Sequence, residues 1–483
     1  MRSGTGCALT RFWITFAASV AGTSLVLLLC VFLIRPALQW VVKFFIRRLM
    51  SDTYSENLIE MLPAFMRMNP HHVFENSLRA HSGKVIERPF GSPRRFPHFD
   101  QLVFSPAQLH RFPTELQTEV DVKVTIGPQA RHPLHIDIPL LISGMGFGVG
   151  VSDKLRHALA IGASKAGTAV NSGQGPVLPE EKNLAKKLIV QYHSASWARF
   201  PEMLERAAAV EIRFGQGALA GVGVALPAKS IEGRARELMR LPAGVDGVIP
   251  SRFPELLEPK DLPKLVNHLR EVTSGIPIGV KMSAGKYLER DMEIAVCAGV
   301  DFIAIDGGQA GTKAAPPILQ DDFGLPTIYA LCRAVRFLEN NKARNNVTLL
   351  IGGGFFTPGE CLKAIALGAD GIYLGTAALW AMTHTQVTKA VPWEPPTQLV
   401  YYDGKLKDQF DEEQAATHLH QFLTSMVEEM KLGIRALGKT SLRDVCPDDL
   451  LALDEWTAYV TGVSPGYPTK NDDASRPLSQ ENR

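Results

Sequence analysis

Cysteine is scarce in this chain, six in 483 residues, and no two lie in a Cys-x-x-Cys spacing. Cys7, Cys30, Cys297, Cys332, Cys361 and Cys446 are too widely separated for a disulfide framework or for the ligand spacings of zinc and iron–sulfur sites, which leaves buried thiols in a reducing compartment. An excess of one charge is missing too: Lys+Arg 51 against Asp+Glu 49 gives a net +2 without a long basic or acidic block. Such a balance offers no reason to expect a nucleic-acid partner. No Gly-x-Gly-x-x-Gly opens the first β-α unit, which disfavours a doubly wound dinucleotide fold. What is present is a 46% hydrophobic chain, enough for one large domain with appendages.

Long hydrophobic runs are equally rare. One occurs, Phe12 to Ile34, FWITFAASVAGTSLVLLLCVFLI, 23 residues without a charge, which meets the ~20 residues a helix needs to cross a bilayer. Arg2 and Arg11 precede it, whereas Arg35, Lys43, Arg47 and Arg48 follow, so the positive-inside bias predicts a single-pass protein of the inner or plasma membrane with its bulk in the cytoplasm. The following RPALQWVVKFFIRRLM is basic and amphipathic, suited to an anionic leaflet. A cleaved signal peptide is the rival, but the run is long for one and lacks a small-x-small site before the basic residues.

These patterns divide the chain into a membrane helix with its basic flank (1–50), a lead-in (51–130), a barrel (131–400), a helical extension (401–463) and a polar, disordered tail (464–483). In the lead-in, residues 55–68 read as helix and 120–126 as strand. From Pro139 onward, short apolar runs alternate with helical patterns: 139–143, 168–172, 188–194, 210–216, 277–282, 301–306, 348–353 and 371–375. Eight β-α units in about 240 residues predict a closed (β/α)8 TIM barrel. Residues 411–437 predict a further long helix and 448–460 a shorter one.

The active face of such a barrel lies at the C-terminal strand ends, and phosphates commonly bind after strands seven and eight. Strand seven ends in Gly352, Gly353 and Gly354, and strand eight in Gly375 and Thr376 at a helix start, so backbone N–H groups and a helix dipole can meet an anion. Turn glycines are the plainer reading of either loop alone. Strand six runs into Asp306, Gly307, Gly308 and Gln309, and strand one into Gly144, Met145 and Gly146, where backbone can approach a flat ring. Lys281, in the apolar fifth strand, can stabilise negative charge on a reduced flavin's pyrimidine edge or simply pair with a carboxylate. His193 after strand three is either a proton donor or a packed, hydrogen-bonded histidine.

The motifs SGMGFGVGVS (143–152), NSGQGPVLPEE (171–181), EIRFGQGALAGVGVALP (211–227), IDGGQAGTKAAP (305–316), LLIGGGFFTPGECLKAIALGADGIYLGTAAL (349–379) and GIRALGKTS (433–441) occur in one order. Over residues 60–465 the chain thereby resembles the FMN-binding glutamate synthase family, in particular stand-alone members that lack the amidotransferase domain. The resemblance implies an FMN-bearing barrel exchanging electrons with an amino, imino or keto acid. It implies Met145 and Gly146 beside the isoalloxazine, Asn171 and Gln174 near ring and substrate, and Gln216 and Lys281 on the flavin's polar edge. Gly308, Gly353, Gly354, Gly375 and Thr376 would cradle the phosphate, and Arg199 would meet an anionic substrate group. Lys281, Gln174 and Arg199 are thus the expected catalytic residues, with no metal site.

Departures from the family pattern matter as much. Gln174 replaces a glutamate, and Leu219 and Ala225 stand where the family meets 2-oxoglutarate. No cysteines follow GTAAL, where relatives ligate an iron–sulfur cluster, so FMN is expected without that cluster and the electron donor or acceptor is undefined. The leading expectation is a membrane-anchored FMN oxidoreductase with a small-molecule substrate. Glutamate synthase itself, using ammonia, and a non-catalytic flavin-binding module remain the alternatives.

Overall fold

Runs of two to six apolar residues, bounded by Gly, Pro or polar turns, form eight parallel strands because helices cover their outer faces and side chains fill the inside. In the computed structural model, which describes residues 5–57, 59–313 and 315–467, these are β1 (Leu140–Ile142), β2 (Val170–Asn171), β3 (Leu188–Tyr192), β4 (Ala209–Arg213), β5 (Ile278–Ser283), β6 (Phe302–Asp306), β7 (Thr348–Gly352) and β8 (Gly371–Leu374). They close in sequential order, β8 pairing with β1, into the (β/α)8 barrel the sequence predicts. Register places Lys281 beside Arg213 and Ala304, and Asp306 beside Ser283 and Gly352, so Asp306 stands two residues beyond Lys281 on the same face.

Helix starts follow local chemistry. Ser152 caps Asp153–Lys165 through the Leu155 N–H, Thr357 and Glu360 form a reciprocal capping box on Pro358–Ala366, and Asp411 caps Glu412–Ala436 through Gln414. That last helix, the predicted extension, buries Ala415, Ala416, Leu419, Leu423, Met426, Val427, Met430 and Ile434 on one face against the barrel.

Several expectations are corrected. Residues 448–460 are not one helix: Leu450–Ala452 is a strand antiparallel to Leu102–Phe104, and the helix begins at Glu455 under an Asp454 cap. Of 120–126 only Val124–Ile126 is strand, paired with Leu134–Ile136, and Gly127 N–H donates to Thr348 Oγ1 at the foot of β7. Within 55–68 the helix is confined to Met61–Arg67. At the start of the tail, the Ser464 carbonyl accepts from Ala452 N–H at 2.9 Å, so residues 464–467 are held on the small sheet; 468–483 lie outside the described residues.

The chain falls into two units, one ending at Ile86 and the other starting at Glu87. In the first, a helix over Thr5–Ser51 carries the apolar run and its basic flank without a break, with Pro36 inside. Among the described residues it is the one helix long and apolar enough to cross a membrane.

At the top of β1 and β2 the fold depends on Arg156. Its side chain is fully buried, ion-paired with the equally buried Glu181, and donates to the carbonyls of Met145 at 2.8 Å and Asn171 at 3.0 Å. Arg156→Met strands the Glu181 carboxylate, and a loss of roughly 3–5 kcal/mol is expected. In urea unfolding the double change Arg156→Met, Glu181→Leu should recover part of it.

Candidate functional site

Period-two alternation turns Gln191, Glu211, Arg213, Lys281, Asp306 and Tyr373 into the barrel, where hydrophobic walls leave each polar group dependent on another. Glu211, fully buried, accepts from Asn171 Nδ2 and Gln191 Nε2, both at 2.8 Å, and from the Tyr373 hydroxyl at 2.9 Å. Burial, reinforced by the Glu211 carboxylate, pushes the Tyr373 phenol far above its ordinary range, so it stays a donor. One level higher, Lys281 Nζ lies 3.3 Å from Asp306 Oδ1 and 4.9 Å from the centre of the Tyr373 ring. Asp306 Oδ2 accepts from Gly217 N–H at 3.4 Å. Burial lowers the Arg213 guanidinium to about 10, still cationic at neutral pH; its Nε meets Gln216 Oε1 at 3.4 Å, and one terminal nitrogen has no partner among the described residues.

Above this layer opens a cavity of about 650 Å³, within the range of cofactor sites. Nine of the predicted residues line it together: Met145, Gly146, Gln174, Gln216, Lys281, Gly353, Gly354, Gly375 and Thr376. Leu219 and Ala225 also line it and make part of one wall hydrocarbon. Gly353 and Gly354 have φ of +121° and +80°, a region L side chains avoid. Their turn is pinned by Thr327, whose hydroxyl donates to the Gly353 carbonyl at 2.9 Å while its backbone N–H donates to Gln309 Oε1 at 2.8 Å. Gly375 opens the helix Thr376–Thr383 with no side-chain cap, so the first-turn N–H groups are free for a ligand.

Three predicted residues stand apart from the cavity. Asn171 lies beneath it, with its amide hydrogens committed to Glu211 and Tyr373. Gly308 gives its N–H to the Leu325 carbonyl at 2.7 Å, which leaves that donor unavailable to a phosphate. Arg199 pairs with Glu255 at 3.3 Å, and Glu255 also accepts from Tyr192 at 2.9 Å, so nothing here aims the guanidinium at a substrate. His193 is buried, lies edge-on to Trp197 at 6.0 Å and accepts the Ala195 N–H, the packed alternative. Glu211, Arg213, Gln191 and Tyr373 were not singled out by sequence; two opposite charges at alternate positions of the run VEIR were the available signal.

Fold and site together define a (β/α)8 barrel with a cavity at the C-terminal strand ends, lined by both a helix N-terminus without a side-chain cap and a buried lysine. The conserved region of glutamate synthase matches residues 96–440, and the chain belongs to that family. It is 33% identical over 395 residues to a glutamate synthase large subunit-like protein of Rhizobium meliloti (strain 1021), covering 78% of this chain and 89% of that one. It is 30% identical over 436 residues to an archaeal-type glutamate synthase (NADPH) of Thermotoga maritima, covering 82% and 83%. An archaeal glutamate synthase (NADPH) of Archaeoglobus fulgidus is 33% identical over 345 residues, of which the chain spans 65%. Among solved structures, a flavocytochrome b2 mutant with benzoylformate overlaps with a TM-score of 0.47 at 18% identity, covering 79% of this chain and 83% of that one.

Burial, with the Arg213 charge, lowers the His193 imidazole to about 3. Because the folded value lies below the unfolded one, this contribution to stability is complete above pH ~6.5 and is lost as pH falls toward the folded value, with a slope approaching ~1.4 kcal/mol per pH unit. Urea unfolding between pH 7 and 5 should therefore show a steeper loss for the wild type than for His193→Gln; parallel slopes would contradict the buried neutral imidazole.

Proposed function

We propose that this chain is an FMN-dependent oxidoreductase of the glutamate synthase type, acting on an amino, imino or keto acid and tethered to a membrane by its N-terminal helix. The observation that carries this reading is one cavity holding both an uncapped helix N-terminus beside a glycine turn and, on the fifth strand, a buried lysine. The residues fit the cofactor. Gly353, Gly354, Gly375 and Thr376 suit its phosphate, and Lys281 suits the pyrimidine edge of its ring. Buried Gln174 Nε2 and Gln191 Oε1 have no partner among the described residues, as expected of groups kept for a ligand. When bound, FMN supplies the electron transfer.

The protein's own part is electrostatic and positional. Asp306 holds Lys281 in place while the Tyr373 ring flanks it, so the cation needs no rearrangement when negative charge develops beside it. Gln174 presents an amide donor from the loop after β2, and Met145 and Gly146 line the cavity after β1. Leu219 and Ala225 line the wall with hydrocarbon, which favours a substrate with an apolar side chain over a dicarboxylate such as 2-oxoglutarate. Lys313, paired with Asp403 at 2.9 Å, supplies a cation near the mouth for one carboxylate. The apolar helix anchors the chain, and the basic residues after it keep the barrel on the cytoplasmic side.

A screen of amino and hydroxy acids for anaerobic flavin bleaching tests the activity. At least one substrate should bleach the cofactor, and Lys281→Met should slow bleaching by roughly 100-fold or more while flavin stays bound. No bleaching by any acid would leave the non-catalytic module, and rapid reoxidation by 2-oxoglutarate plus ammonium would restore glutamate synthase.

The phosphate assignment has its own test. Gly375→Asp places a carboxylate at the helix start, and FMN affinity should fall roughly 100-fold. Riboflavin affinity should hardly change. An equal loss for both would contradict a phosphate at this helix.

A further inference from the structure

A second cavity of about 520 Å³ lies against the outer face of β5 and the turn after β4, beyond the wall that bears the site. Phe214, Phe253, Leu256, Leu262, Val280 and Met282 give it apolar walls, and Leu257 and Phe323, both exposed, form an apolar rim. The partition between the two cavities is one strand layer thick. Lys281 points inward to the site while its neighbours Val280 and Met282 line the outer cavity, and the Lys281 carbonyl accepts from the N–H groups of Phe214 at 2.9 Å and Gly215 at 3.3 Å. Ala284, also on the outer cavity, donates its N–H to the carbonyl of Asp306, the partner of Lys281, at 3.1 Å.

An apolar chamber with an open apolar rim is costly to leave facing water, and its size suits a small ring compound with a hydrocarbon tail. Five polar side chains also line it: Ser251, Ser283 and Arg252 can donate to carbonyl oxygens, whereas the Asp291 and Glu258 carboxylates disfavour an anionic ligand. A chain tethered to a membrane by its apolar helix, as proposed above, would work where lipid-soluble redox carriers dissolve.

We propose that this second cavity binds a lipid-soluble quinone, which accepts electrons from the flavin across the β4–β5 wall. The inference rests on the flavin reading given above. With FMN bound and reduced, the exchange would balance: two electrons and two protons would leave the flavin, and the quinone would gain two of each to become a quinol. Electrons cross the partition, and protons pass through water at the open rim beside Asp291.

The probe is decylubiquinone, titrated by calorimetry against the full chain in detergent, with an azido-quinone for photolabelling. Saturable binding of about one quinone per chain is expected, with label on 251–262 or 280–295. Leu257→Glu and Phe323→Glu change exposed rim residues and should each weaken binding at least tenfold with the flavin spectrum unchanged. Flavin-containing protein that binds no quinone, labels elsewhere, or is indifferent to both rim changes overturns the proposal and leaves the flavin reading intact. Equal displacement of the quinone by palmitate overturns the choice of occupant. Quinone binding by a protein that takes up no flavin overturns the flavin reading and the acceptor role with it.

Discussion

Charge buried inside a closed barrel is the constraint on which the rest of the structure depends. Glu211, Arg213, Lys281 and Asp306 all face a low-dielectric interior, where an unpaired ion costs several kcal/mol. The solution draws on many strands at once. Glu211 of β4 is satisfied by donors from β2, β3 and β8, and Lys281 of β5 by Asp306 of β6. A one-residue slip of any of these strands would turn its polar side chain outward among the helices, so the polar layer also fixes the register of the barrel. The same layer forms the floor of the cavity, which ties the stability of the fold to the position of Lys281.

The barrel was legible in the sequence for a specific reason. Parallel strands buried on both faces read as continuous apolar runs, and all eight such runs here became strands. The glycine turn after β7 and the glycine that opens the helix after β8 were legible too, because residue type alone marks both. What escaped were relationships between distant residues. The bond that takes up the Gly308 amide comes from Leu325, and the carboxylate that holds Arg199 comes from Glu255. The strand Leu450–Ala452 exists only because Leu102–Phe104, far earlier in the chain, offers it an edge. Glu211 and Arg213 were read as part of an apolar run, although alternation would have set both on the inner face. Periodicity and motif report local conformation, whereas a hydrogen-bond partner is a property of the closed fold.

Gly146 illustrates how a motif can answer two demands. It lines the cavity, as the family resemblance implies, yet a side chain at that position would also run into the backbone of Gln174 and Gly175 in the loop after β2. The loops after β1 and β2 are thus packed backbone against backbone and locked from behind by Arg156. A rigid double loop of this kind can present Met145 and Gln174 to a ligand without the entropy cost that flexible loops carry.

FMN in the barrel mouth is what joins these features into one site, and the most direct measurement is the flavin content of the purified chain, released by acid and quantified against protein. About one FMN per chain, either as purified or after incubation with FMN and removal of the excess, is the expected result. A colourless protein that retains no FMN after that incubation would contradict the central claim.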